Sequence, residues 1–122
     1  MSDELKGGAH LQGMKRRFRE IAAQLEKERL ELLEKVRPAG GALKAFGARE
    51  VILFGSILRP GFFDRASDID ILVIGLPDHL VLRALRIVEE ATCIYERPIN
   101  LVFEQMAGEE LVAEARRSGV LL

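Results

Sequence analysis

Two short apolar runs constrain the fold of this chain more than any other feature. Val51-Ile52-Leu53-Phe54 stops at Gly55, and Ile69 to Ile74, interrupted only by Asp70, stops at Gly75 and Pro77. Both are rich in branched and aromatic strand formers and too short to be typical helices, so they predict two core strands. A third run, Ile99 to Phe103, opens behind Pro98, and proline is tolerated at the first residue of a strand. Between the second and third runs, Asp78 can cap a helix whose apolar positions Leu82, Leu85 and Val88 keep helical spacing as far as Ala91. Strands joined through a helix run parallel by a right-handed crossover. A last helix is predicted over about Glu109 to Arg117, ending at Gly119.

Ahead of the strands, Leu11, Met14, Phe18, Ile21, Leu25, Leu32 and Val36 fall mostly three or four residues apart with charges between them. That spacing predicts a long amphipathic helix over 11–37. Glu28 and Lys35 stand where a strict heptad would be apolar, which favours a helix lying on a core over a long coiled coil. Pro38, Gly40 and Gly41 break the pattern, and a short helix from Ala42 to Phe46 ends at Gly47. The expectation is an α/β fold: a three-stranded mixed sheet in the order first, second, third, flanked by helices. Residues 1–10 are expected to be flexible and 11–122 to form a single domain, with its core in 42–122.

The 122 residues leave room for one domain, and 48% hydrophobic residues suffice for a core. Eighteen Lys and Arg against 19 Asp and Glu exclude a strongly basic, nucleic-acid-coating protein; a nucleic-acid role would need a local patch. The single Cys93 allows neither an internal disulfide nor a multi-cysteine zinc site, and His10 and His79 add little metal-binding capacity. A reducing cytoplasm is the natural location. The start lacks the apolar stretch of a signal peptide, and no run approaches the roughly 20 residues that span a bilayer, so a soluble protein with no membrane partner is expected.

Asp68 and Asp70 are two apart at a strand, so both carboxylates point the same way, roughly 7 Å apart, while Ile69, Ile71 and Val73 point into the core. Paired negative charge beside apolar neighbours suits a divalent cation, since magnesium takes a few carboxylates together with substrate phosphates. Taken alone, an Asp-x-Asp is as readily a pair of solvated carboxylates at a strand end. Gly55-Ser56, directly after the first strand, adds a sharp turn whose backbone can approach phosphate oxygens closely. Eleven residues separate Ser56 from Asp68. If the first two strands are antiparallel, phosphate cradle and metal carboxylates meet at one edge.

Gly55, Ser56, Asp68 and Asp70 in this order resemble the signature of the minimal nucleotidyltransferases of the DNA polymerase beta superfamily. Ser67 before the carboxylates and the tail from Glu109 to Leu122 are also similar. The resemblance covers about Ala42 to the end, and the long first helix is less typical of the family. It implies that Asp68 and Asp70 hold two magnesium ions that bind a nucleoside triphosphate, with ATP as the favoured nucleotide. The Gly55-Ser56 turn would hold its phosphates, and a nucleotidyl group would pass to an acceptor as pyrophosphate leaves. The resemblance also implies a third carboxylate in the third strand, where this chain has Asn100. An amide can offer a carbonyl oxygen but neither charge nor a general base. Glu104 shares the strand face of Asn100 but lies about 13 Å along it, and Glu96 precedes the strand.

Arg59 and Arg65, between the two halves of the motif, are candidates to grip triphosphate oxygens, although solvated loop charges are the commoner fate of such arginines. Lys15, Arg16, Arg17 and Arg19 read as a solvated helix face. Of Phe62 and Phe63, one is expected to pack inward; Cys93 and Tyr95 read as packing residues. Stand-alone domains of this size that resemble the family are often antitoxins that transfer AMP to a tyrosine of a helical HEPN-domain ribonuclease. A second reading is a binding module that neutralises such a partner by contact, with Asn100 marking decayed catalysis. A haloacid-dehalogenase phosphatase is disfavoured, because Ile71-Leu72 follow Asp70 where that family has threonine or glycine.

Overall fold

The computed structural model describes Ser2 to Leu122, with side chains from His10 onward. Helix α1 spans Ser2–Val36, followed by α2 at Pro38–Phe46, strand β1 at Glu50–Phe54, β2 at Ile69–Ile74, helix α3 at Val81–Thr92, β3 at Ile99–Phe103, α4 at Glu109–Ser118 and β4 at Val120–Leu121. Of the N-terminal stretch 1–10, Met1 lies outside the described residues, and the helix runs from Ser2, earlier than the predicted start at Leu11. Among the described residues no helix is long and apolar enough to cross a membrane.

The strands form one mixed sheet in the order β3-β2-β1-β4. β1 and β2 are antiparallel, and β2 and β3 are parallel, as the connections require. The expected adjacency of the first three strands therefore holds, but the sheet has four strands instead of three. Val120 and Leu121 pair antiparallel with Leu53 and Ile52, at the edge opposite β3. A two-residue strand is too short for any periodicity to reveal.

Alternation along the strands divides the core. Val51, Leu53, Ile69, Ile71 and Val73 face one layer, where they bury Leu32 and Val36 of α1, Ala39 and Leu43 of α2, and Ala84 and Val88 of α3. Ile52, Leu72 and Ile74 face the other side against Ala115, with Val112 also of α4 at their margin. β2, covered on both faces, is apolar at every position except Asp70.

Two helices depart from expectation. α2 starts at Pro38, before the predicted Ala42, because proline at the first helical position forgoes a hydrogen bond that position lacks anyway. In α3 the buried face is Ala84 and Val88, whereas Leu82 is 96% exposed and Leu85 is also exposed. Two apolar stripes overlap in that segment, and the one carrying the small Ala84 faces inward, toward α2. Asp78 does not cap α3: it lies in a separate single turn, Asp78–Leu80, and its carboxylate accepts a hydrogen bond from Gln105 Nε2 at 3.0 Å. Cys93 and Tyr95, read as packing residues, are both exposed where α3 ends at the left-handed Cys93, φ 53°.

Candidate active site

Antiparallel pairing sets Phe54 opposite Asp70, and parallel pairing sets Asn100 beside Asp70 on its other flank. All three share the sheet face that α4 covers further along, at Ile52, Leu72 and Ile74. At the Asp70 end that face is open: Asp70 is half-buried, and Asn100 and Asp68 are exposed. The Asn100 Nδ2 donates to Asp70 Oδ1 at 3.1 Å. Asp68 stands two residues ahead of Asp70 in the same phase of alternation. Gly55 leaves β1 with φ 89°, and a Cβ there would overlap Asp70 Oδ2. Only glycine lets the turn pass this close to the carboxylate. Beyond it, Ser56–Leu58 form one tight turn, closed by Leu58 N donating to Gly55 O at 3.1 Å.

The halves of this edge are held from behind by two arginines. Arg29 of α1, buried among apolar residues, donates from Nη1 to Ile57 O at 3.0 Å and is itself held by Glu26. Arg97, equally buried, donates from Nη1 to Asp64 O at 2.6 Å and Ser67 O at 2.9 Å, and pairs with Glu28 of α1 at 2.8 Å. The paired hydrogen bonds from Arg97, aided by its charge, hold the Glu28 carboxyl below the usual glutamate range against the opposing effect of burial. Ser67 accepts from Asp64 N at 2.9 Å, and Asp64 Oδ1 accepts from Ala66 N at 2.8 Å, closing the loop that delivers Asp68. Neither Arg29 nor Arg97 was expected as part of the site. The available signal was a charged residue inside the apolar stripe Leu25, Leu32, Val36, where Arg29 stands.

Other candidates fall elsewhere. Arg59 is exposed and stacks over the Phe62 ring, 4.0 Å from its centroid. Arg65 lines a recess with Glu20, Ile21, Gln24 and Arg97, beside α1. Phe63 is the inward member of its pair, under the Arg97 guanidinium at 4.5 Å. Glu96 is engaged by Lys35 at 2.9 Å, and Glu104 accepts from Gly75 N at the far end of the sheet, so neither replaces the carboxylate that Asn100 lacks. Among the described residues no three His, Cys, Asp or Glu cluster as metal ligands. The oxygen-bearing side chains at or next to this edge are the carboxylates of Asp70 and Asp68 and the amide of Asn100. That set fits a magnesium ion that completes its shell with water and phosphate.

The sequence matches the nucleotidyltransferase domain family over residues 15–119, which span every element of this site. The chain belongs to that family. No curated protein matches it significantly. As a nucleotidyltransferase domain, it is built to pass a nucleotidyl group between a nucleotide and an acceptor, and the open edge at Asp70 is its candidate centre.

Proposed function

We propose that this nucleotidyltransferase transfers AMP from ATP to a hydroxyl of a protein partner in a magnesium-dependent reaction, and that the partner is a HEPN-domain toxin. The observation that carries the reading is the meeting of the Gly55 turn, Asp70 and Asn100 on one open edge, with Asp68 two residues away. Asp68 and Asp70 would hold magnesium, which when bound neutralises phosphate charge and polarises the attacked phosphorus. The Gly55-Ser56 backbone admits the triphosphate close to Asp70. Asn100 fixes the Asp70 carboxylate through its amide hydrogen bond. In the transfer, the acceptor oxygen forms a bond to the α-phosphorus, the bond to pyrophosphate breaks, and the hydroxyl proton leaves to a base that Asn100 cannot be.

That last point supports a second reading, in which the domain neutralises its partner by contact and transfers slowly or not at all. Incubation with ATP labelled in the α-phosphate, magnesium and a purified HEPN-domain protein tests both, with intact-mass analysis of the partner. An added AMP that requires magnesium and disappears in Asp68→Ala and Asp70→Ala supports transfer. A partner inhibited but unmodified with ATP, GTP, CTP and UTP, also by Asn100→Asp, supports contact alone.

A further inference from the structure

From Leu11 to Ile21, α1 presents an apolar seam that is largely uncovered among the described residues, with only Ile21 at the margin of the recess shared with Arg65 and Arg97. Leu11, Met14, Phe18, Ile21 and Leu25 alternate three and four residues apart, the spacing of a two-helix seam. Leu25 packs against the core, but ahead of it Leu11 is 54% and Phe18 64% exposed, and Met14 and Ile21 are exposed too. Lys15 and Arg17 flank this seam on its two sides, with Arg16 and Arg19 beyond them. Among the described residues none of these four cations takes part in an ion pair. Their solvated-face reading explains the charges but not the apolar line between them.

We propose that this stretch of α1 docks an amphipathic helix of another protein whose own apolar seam is flanked by carboxylates. Width and charge both argue for that occupant. A seam of two positions in seven matches one helix, whereas a helix lying in a lipid surface needs a broader apolar face. Nucleic acid would satisfy the cations and leave Phe18 and Leu11 unexplained. A second copy would have to offer acidic groups from its own α1, but among the residues whose side chains are described Glu26 is bound to Arg29, Glu28 to Arg97 and Glu34 to Arg37. Glu20 stands at neither flank of the seam, and Glu31 flanks only the part beyond Leu25, which lies on the core. Glutamates flanking a partner's seam would meet Lys15 and Arg17 directly. The inference does not depend on nucleotide transfer.

The test uses the full chain and two fluorescent synthetic peptides of about four heptads, with leucine along the seam and either glutamate or lysine at the flanking positions. The glutamate peptide is expected to bind and the lysine peptide not to. Affinity should fall about tenfold or more in Phe18→Ser and in Lys15→Gln with Arg17→Gln, and should weaken as salt rises. Both substitutions lie on exposed side chains, and circular dichroism verifies that each variant keeps its helix content. Equal binding of both peptides, binding of neither, or unchanged affinity in these variants overturns the proposal. So does dimerisation of the chain by sedimentation that Phe18→Ser abolishes. Stronger binding to phosphatidylserine vesicles or a single-stranded oligonucleotide than to the glutamate peptide would also overturn it.

Discussion

Gly55 meets two demands at once, a backbone at φ 89° and room for the Asp70 carboxylate where a Cβ would stand. Gly55→Ala should therefore cost about 1–3 kcal/mol in denaturant unfolding, as backbone strain of this kind does. It should also weaken magnesium-dependent ATP binding, measured by calorimetry. Asn100 has the opposite character, because its present partner is satisfied and its chemistry is what the site lacks. Asn100→Asp sets two carboxylates side by side, which repel without a cation and attract one strongly. The variant should unfold at a lower temperature than the parent without magnesium and recover with it. Its transfer rate, if the proposed reaction holds, should rise by about a hundredfold, the usual worth of a general base. Asp70 stands between Phe54 and Asn100 in the strand that the sequence revealed. That Asn100 bonds to Asp70 was not readable, because it depends on the register between two strands.

At the level of elements, two adjacent glycines in α2 separate helix propensity from packing. Gly40 is buried with the Leu122 backbone where its Cβ would go, while Gly41 has nothing within 4 Å. Gly41→Ala should stabilise the protein by about 0.5–1 kcal/mol through helix propensity alone. Gly40→Ala has the same propensity gain but should destabilise by about 1–3 kcal/mol, since Leu122 donates its N–H to Val51 O at 2.9 Å and cannot move without breaking that contact. Thermal denaturation of the two variants in parallel reads the difference. In sequence these glycines looked like a break between helices. In the fold one of them, Gly40, makes room for the backbone of Leu122 directly after β4. The phase of α3 was hidden for a similar reason: its overlapping apolar stripes are indistinguishable until α2 selects the one with Ala84.

Across the whole molecule, α1 braces the site through Glu28 and Arg97, which joins the first helix to the loop delivering Asp68. Because the Glu28 carboxyl is held below its usual range in the folded state, its contribution is present above the ordinary glutamate range and is lost as pH falls through the lowered folded value. Glu28→Gln should therefore destabilise by about 1.5–3 kcal/mol at neutral pH, the range for hydrogen bonds to charged groups. The gap from the parent should close in acid, as denaturation across pH would reveal. The sequence by itself determined the three main strands, their alternation and the glycine turn. Each of those follows from residue type and a period of two, which neighbouring residues impose. Only the tertiary structure decided the fourth strand, the inward face of α3, the Asn100–Asp70 bond and the two buried arginines. Each of these is set by groups far apart in the chain, whose meeting depends on how helices dock and strands register.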